Sequence, residues 1–313
     1  MVRLTKKTAL LAAVLSLVSA SAWAQNIWCW WRLPHVAIGG GYTSTLIIRD
    51  SQGLPSRSVY VYLYKDDGTA LLANVQGVGN QISQFNFTLG PNEEKSYVLT
   101  STGSLTSGSV QIASYGIGDL NVSLRYTATD SQGNVTDVVG ILPVVPNFSW
   151  TTTVQKASSS DWIGIAIQNP WSSQITVNLD FYQNGARVSG TSTQTYTLAA
   201  LAHKAVFVNE IWPSAWSSFS GVGTLRISSL VESFAAVALR ADVGPSGWQF
   251  SSLPAEAGGE QWTCSYTDPT LGAQTVTWNW RYYDGYTFTG YEQDSFNTDK
   301  VRLRGVYASD MSD

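Results

Sequence analysis

The chain has 313 residues, of which 13% are charged and 12% aromatic, and 18 Lys and Arg against 22 Asp and Glu give a formal net charge of −4. No Lys or Arg cluster of the kind that binds a phosphate backbone occurs, so nucleic acid is excluded as an expected partner. The low charge, the abundance of Ser, Thr, Asn, Gln and Gly, and the scarcity of helix patterns predict an all-β fold with an extracellular type of surface.

Residues 1–24 have the pattern of a secretory signal peptide. Arg3, Lys6 and Lys7 precede the apolar run "ALLAAVLSLVSA", and small residues before Gln25 fit a cleavage site. The run has roughly a dozen residues, whereas roughly 20 are needed to cross a bilayer, so no membrane span is predicted. We expect export to the cell exterior, the cell surface or the periplasm. Cleavage would leave 15 Lys and Arg against 22 Asp and Glu, a net charge of −7.

Residues 25–32 form an aromatic segment, "QNIWCWWR". Its apolar side chains, Ile27, Trp28, Trp30 and Trp31, make it a candidate donor strand that completes the sheet of a neighbouring copy. Cys29 lies in this segment, and Cys264 is the other cysteine of the chain. In an oxidising compartment the pair most simply forms one disulfide; two unpaired thiols or an intermolecular bond are the alternatives.

The middle of the chain contains an internal repeat, which predicts two β-sandwich domains at 33–145 and 146–255. The copies show alternating strands, a polar turn after the first strand, and a Gly turn after the second. Their offset stays between 109 and 119 residues for three matched pairs: 42–72 with 161–190, 87–99 with 196–208, and 108–128 with 223–243. The one helix candidate is the short stretch "VNEIWPSAWSSF" in the second copy.

The two copies of the repeat begin with "GGGYTSTLIIRD" and "DWIGIAIQNP", and in each a further strand and a Gly turn follow. In this arrangement the chain resembles bacterial secreted proteins built of tandem immunoglobulin-like or fibronectin-like β-sandwiches. The resemblance covers roughly residues 33–254. It implies the fold more specifically than the function, because such domains serve as spacers, adhesins and sugar-binding modules alike.

Motifs for catalysis are scarce. His35 and His203 occupy non-corresponding places in the repeat and nothing in the sequence places them together, so we expect a non-enzymatic protein without a cofactor. Asp130, Asn134 and Asp137 could supply oxygen ligands to Ca²⁺. Asp, Asn and Gly are also what tight β-turns require, and the sequence favours that interpretation over a metal site.

Residues 256–313 are predicted to form a small β-module of about four strands. Its stretch "WNWRYYDGYTFTGY" has an Asp-Gly turn between alternating runs, a strong hairpin signal. With that turn Arg281 would face Phe288 and Trp278 would face Tyr291. We expect the Trp face to pack against another surface. The other face is a candidate ligand or partner face, and it comprises Arg281, Tyr283, Tyr286 and Phe288.

The sequence favours two functions. The first is a secreted structural or adhesive protein, a subunit of a filament or surface matrix assembled by β-strand addition, whose partner is itself or another surface protein. The alternative is a carbohydrate-binding module that recognises polysaccharide through the aromatic hairpin.

Overall fold

The computed structural model describes residues 28–53, 55–115, 120–230, 232–244, 247–253, 255–257, 260–268, 272–282, 287–294 and 301–306, with side chains in the ranges 29–242 and 250–253. Within these ranges the chain forms antiparallel strands and two short helices, which confirms the all-β prediction. Among the described residues, no helix has the length and apolar character needed to cross a membrane.

The first half of the chain folds into two facing sheets. Its strands are β1 (Trp28–Ile38), β2 (Tyr42–Asp50), β3 (Arg57–Lys65), β4 (Ala73–Val75), β5 (Gly79–Ile82), β6 (Gln84–Leu89), β7 (Glu94–Thr100), β8 (Thr106–Tyr115), β9 (Leu120–Thr129) and β10 (Val135–Ile141). Sheet 1 has the order β1-β8-β3-β6 and sheet 2 the order β10-β9-β2-β7-β4-β5. We call this the first sheet pair.

The second sheet pair follows directly. Its elements are β11 (Ser149–Lys156), β12 (Asp161–Gln168), β13 (Ile175–Gln183), β14 (Ala186–Arg187), β15 (Gln194–Leu198), β16 (His203–Phe207), α1 (Val208–Ile211), α2 (Pro213–Ser218), β17 (Gly221–Ser228), β18 (Ala235–Gly244), β19 (Gly247–Leu253) and β20 (Ala255–Ala257). Sheet 3 has the order β14-β13-β17-β11-β20, with β15 also paired to β13, and sheet 4 the order β16-β12-β18-β19.

The two sheet pairs share one strand order. Strands β1, β8, β3 and β6 of sheet 1 correspond to β11, β17, β13 and β15 of sheet 3, and β10, β9, β2 and β7 correspond to β19, β18, β12 and β16. An immunoglobulin constant domain keeps its first strand beside the second and its seventh beside the sixth. Here the first strands, β1 and β11, lie beside β8 and β17 respectively. The strands that follow, β9 and β18, lie beside the second strands, β2 and β12.

Each sheet pair encloses its own hydrophobic core, because alternate residues of every strand point inward. In β13 the four inward residues Ile175, Val177, Leu179 and Phe181 are all buried, as their period of two predicts. The predicted helical stretch forms α1 and α2, with Pro213 opening α2. It brings the Trp212 ring to 6.0 Å from that of Phe181, which closes one end of the second core.

A buried polar residue ties the same turn in both copies. Asp50 ends β2 and accepts hydrogen bonds from Arg57 Nη2 at 2.7 Å and the backbone N–H of Asn92 at 2.9 Å. Asn169, which follows β12 at the aligned position, donates to the carbonyls of Ser173 and Ala199, both at 2.7 Å. Backbone groups that would otherwise be left unpaired in these crossing turns are thereby satisfied.

A glycine at the aligned position of β8 and β17 allows a close strand approach in both copies. A Cβ atom on Gly108 would lie 2.1 Å from the carbonyl oxygen of Tyr64, and one on Gly223 would lie 2.7 Å from that of Tyr182. Both separations are too short for non-bonded atoms, so the repeat retains glycine here for a steric reason.

The two sheet pairs are packed directly on each other. Three residues on the outward side of sheet 4, Ala166, Val237 and Leu239, belong to the core of the first sheet pair, and Phe250 packs against it. The backbone N–H of Phe250 also donates to Oδ2 of Asp137 at 2.5 Å. The repeat therefore forms a joined unit with a buried junction.

The C-terminal part forms one antiparallel sheet of four strands, as expected. The strands are β21 (Glu260–Asp268), β22 (Gly272–Tyr282), β23 (Thr287–Asp294) and β24 (Val301–Val306), and they pair in sequence order.

Candidate functional site

The outer face of sheet 1 contains a line of aromatic side chains. The inward residues of β3 are Val59, Val61 and Leu63, so its tyrosines point outward. Register places Trp30 of β1 in one cross-strand row with Tyr60, through Ala113 of β8. We call the set Trp30, Tyr60, Tyr62 and Tyr64 the aromatic face.

The aromatic face is ordered by ring contacts. The Trp30 ring is stacked on that of Tyr62, with centroids 6.2 Å apart and an interplanar angle of 28°. The guanidinium of Arg32 lies 4.7 Å from the Trp30 ring centroid, on the same side of the strand. Trp30 remains 41% exposed. The rings are thus held in place from within the face while part of their surface is open to a partner.

Polar amides border the aromatic face on the side of β6. Asn86 pairs with Tyr60 and Gln84 with Tyr62, and both polar residues are exposed. Arg32 is only 7% exposed, so its guanidinium offers little hydrogen-bonding surface to a partner on this face. Burial raises the pKa of the Tyr64 hydroxyl, as does neighbouring Tyr62, whereas Arg32 lowers it. That hydroxyl accordingly remains a neutral hydrogen-bonding group.

The second copy of the repeat does not have an aromatic face. Ser149 and Asn178 occupy the row that corresponds to Trp30 and Tyr60, and Asp180 stands where the first copy has Tyr62. In both copies the first strand is paired on its outer side as well, β11 with β20 and Arg32 of β1 with Val144 in an isolated antiparallel bridge. The fold itself therefore does not require aromatic residues at these positions.

The structure places His35 and His203 together, contrary to our expectation from the sequence. His35 lies in β1 and His203 begins β16, and Nδ1 of His35 is 3.4 Å from Nε2 of His203. Nδ1 of His203 in turn lies 2.8 Å from Oδ1 of Asp66. The packing of the two sheet pairs brings them together, and no local pattern in the sequence could indicate a contact between residues 168 positions apart.

The protonation of this cluster is biased by its surroundings. Burial lowers the pKa of His35 to about 3, and the neighbouring His203 contributes, against an opposing effect of Asp66. Partial burial alone would raise the pKa of Asp66, but hydrogen bonds from His203 and Ser107 lower it overall. His35 is therefore uncharged at neutral pH and Asp66 is ionised.

The cluster is not arranged as a nucleophilic triad. In a triad the serine hydroxyl bonds the imidazole and the carboxylate orients the opposite ring nitrogen. Here the Ser107 hydroxyl donates to Asp66 Oδ1 at 3.2 Å, and the atom next to His203 Nε2 belongs to His35. The geometry instead connects the two sheet pairs.

The predicted donor segment forms part of the protein's own sheet 1. Trp28, Trp30 and Trp31 lie in β1, which is hydrogen-bonded to β8, while Ile27 lies outside the described residues. Trp31 packs against the first core, and Trp30 belongs to the aromatic face. Among the described strands the segment is thus the outermost strand of sheet 1, and its Arg32 carbonyl accepts the backbone N–H of Val144 at 2.8 Å.

The predicted ligand face of the hairpin has a different register from the one expected. Arg281 pairs with Thr289 and Phe288 with Tyr282, a shift of one residue from the predicted pairing of Arg281 with Phe288. Asn279, and not Trp278, pairs with Tyr291. Tyr283 and Tyr286 lie outside the described residues. An Asp-Gly pair permits more than one loop length, and the register depends on that length.

The three Ca²⁺ candidates have other roles. Asp130 accepts hydrogen bonds from the backbone N–H groups of Gln132 and Asn134, and from the Asn134 side chain, which lower its pKa. Asp137 bonds the backbone of Val138 and Phe250. Among the described residues no group of three or more His, Cys, Asp or Glu is arranged to hold a metal ion. These acidic residues stabilise turns and the junction.

The disulfide between Cys29 and Cys264 stays a prediction. Cys29 lies in β1, whereas Cys264 lies in β21, and of β21 only the backbone is described.

The chain matches no protein-family model, no curated protein and no solved structure.

Proposed function

We propose that this is an exported, non-enzymatic adhesive protein that binds a neutral polysaccharide through the aromatic face of sheet 1. The observation that carries the proposal is the stacked pair of Trp30 and Tyr62, in line with Tyr60 and Tyr64 and bordered by exposed amides. Export follows from the signal-like segment at residues 1–24.

Sugar rings have apolar C–H faces and polar edges, and this face matches both. Aromatic rings offer rigid apolar area, while tyrosine hydroxyls and amide groups offer hydrogen bonds at the edge. Alternate residues on a strand are about 7 Å apart, so three tyrosines in line suit an extended, repetitive ligand. Because Arg32 is only 7% exposed, its guanidinium has little surface for a direct hydrogen bond to an anionic group, which favours a neutral ligand.

The second copy of the repeat supplies the substitutions for the test. Replacing Trp30→Ser, Tyr60→Asn and Tyr62→Asp introduces the residues found at the corresponding positions of sheet 3, where the same strand order tolerates them. We expect the mature wild-type protein to be depleted from solution by insoluble cellulose, chitin or starch. The triple variant should remain in solution.

Tyr182→Ala serves as the matched control, since Tyr182 corresponds to Tyr64 but lies on sheet 3. It should bind as the wild type does. If the wild type binds none of the polysaccharides, or if the folded triple variant binds equally well, the proposed function is wrong.

A second candidate is assembly by β-strand addition, which the position of β1 favours. This strand is at one edge of sheet 1 and β6 is at the other, so an exchanged β1 could join neighbouring copies without a new kind of pairing. Negative-stain microscopy of the mature chain at high concentration should then show filaments, and deletion of residues 25–32 should abolish them. A chain that stays monomeric with and without these residues would exclude assembly.

A further inference from the structure

A cavity of about 280 Å³ lies at the junction of the two sheet pairs, away from the aromatic face. Its walls are formed by both halves of the chain. Tyr42 and Tyr126 come from the first sheet pair, and Gly164, Ala205 and Phe250 from the second. A dry cavity of about 150 Å³ with apolar walls is known to hold benzene, so this one has room for one or two fused rings.

The walls are suited to an aromatic ring. Tyr126 makes edge contacts with Phe250 at 6.3 Å and with Tyr42 at 6.2 Å between ring centroids. The small residues Gly164 and Ala205 also line the cavity, and the Phe207 ring lies over Gly164, 3.2 Å from where a Cβ atom would be. Aromatic rings arranged in this way attract a further ring at their faces and edges.

His35 is the polar group of interest in this cavity. Its Nδ1 faces His203, and within the described part of the chain its Nε2 has no hydrogen-bond partner. Because the Asp66 carboxylate can only accept, Nδ1 of His203 carries a hydrogen. The proposal rests on the tautomer in which Nδ1–H of His35 donates to Nε2 of His203. The remaining nitrogen, Nε2 of His35, is then a hydrogen-bond acceptor.

The charged groups around the cavity do not favour an ion as the ligand. Glu210 lines the cavity, but its Oε2 accepts the backbone N–H of Phe207 at 2.9 Å, and Asp137 bonds the backbone of Phe250. Three carboxylates near the junction, Asp66, Asp137 and Glu210, disfavour an anion. Transfer of a cation into mostly apolar walls without a dedicated partner is also costly.

We propose that this cavity binds a small neutral aromatic molecule of one or two rings, which donates one N–H or O–H hydrogen bond to Nε2 of His35. The Asp66–His203 pair acts as the positioning group that fixes which nitrogen of His35 is free to accept. The site is separate from the aromatic face, so it does not rest on polysaccharide binding.

The test compares indole with benzofuran, which has the same shape and no N–H donor. Titration calorimetry of the mature chain at pH 8.5, where an ordinary imidazole is neutral, should show one saturable indole site. Benzofuran should bind about fivefold to tenfold more weakly, the effect of one hydrogen bond. Equal affinity for the two compounds, or no binding of either, would overturn the proposal.

Two variants locate the site. His35→Phe keeps a ring but removes the acceptor, and it should bind indole and benzofuran with equal affinity. Ala205→Leu leaves the histidines unchanged and fills the cavity, so it should bind neither. Ala186→Leu, on the exposed strand β14, is the matched control and should retain the wild-type preference. If folded Ala205→Leu still binds indole, the ligand lies elsewhere and the proposal fails.

Discussion

His203 is bonded to Asp66 twice across the junction of the two sheet pairs. Its backbone N–H donates to the Asp66 carbonyl at 3.2 Å, and its Nδ1 lies 2.8 Å from the Asp66 carboxylate. The imidazole is fully buried while the carboxylate is 58% exposed. A solvated anion of the first half thus orients a buried ring of the second half.

Removal of this carboxylate should destabilise the junction. Asp66→Ala leaves a buried N–H without an acceptor, which costs about 1 to 3 kcal/mol. Asp66→Asn keeps an acceptor oxygen, so this variant should lose clearly less stability. The free energy of unfolding of each variant is measured by urea titration. Equal losses for the two variants would show that the hydrogen bond to His203 is not what stabilises the junction.

Stability should fall as the solution is acidified below the ordinary histidine pKa. The folded-state pKa of His35 is lowered from 6.5 to about 3, so the unfolded chain binds one more proton between these pH values. The stabilisation is complete above pH 6.5 and is lost towards pH 3, by at most about 1.4 kcal/mol per pH unit. Urea titrations between pH 7 and 4.5 should show this slope.

His35→Phe is the control for the pH dependence, because it cannot take up the proton. The slope of its unfolding free energy against pH, between pH 7 and 4.5, should be smaller by up to about 1.4 kcal/mol per pH unit, the effect of one proton. Asp66 has a lowered pKa and loses its contribution at still lower pH, outside this range. Identical slopes for the wild type and the variant would contradict the burial of a neutral His35.

The glycines of β8 and β17 should not tolerate a side chain. Gly108→Ala and Gly223→Ala each direct a Cβ atom at a tyrosine carbonyl, at 2.1 and 2.7 Å respectively, so strands must separate. We expect a loss of about 2 kcal/mol or more for Gly108→Ala and a smaller loss for Gly223→Ala. Thermal and urea unfolding measure both effects.

Gly140→Ala is the matched control, because a Cβ atom on this exposed strand residue meets no atom within 4 Å. Its stability should change by no more than about 0.5 kcal/mol. If Gly108→Ala is as stable as Gly140→Ala, the close approach of β8 to β3 is not a constraint of the fold.

Cys29 and Cys264 should be joined in the exported protein. Peptide mapping under non-reducing conditions should recover the two cysteine peptides as one linked species, which reductant separates. The disulfide would close a long loop, so its removal in Cys264→Ser should lower the free energy of unfolding, by about 4 to 5 kcal/mol at most in the chain-entropy model. Two free thiols, or a linkage between chains, would exclude the intramolecular bond.

Local sequence patterns determined the elements of this protein. Alternation in "ITVNLDFY" predicted the buried face of β13. The self-similar segments predicted a repeat, and the two sheet pairs indeed have the same strand order. The short helical stretch at 208–219 was also predicted correctly. Such features depend on residues a few positions apart, whose periodicity is visible in the chain.

Tertiary structure alone decided which distant residues meet. The alternation in β3 placed the tyrosines on the outer face, but only the pairing of β1 with β8 placed Trp30 on Tyr62. Likewise the contact of His35 with His203 depends on how the two sheet pairs pack. Residues far apart in sequence are joined by register and packing, which depend on the whole buried surface and not on any local pattern.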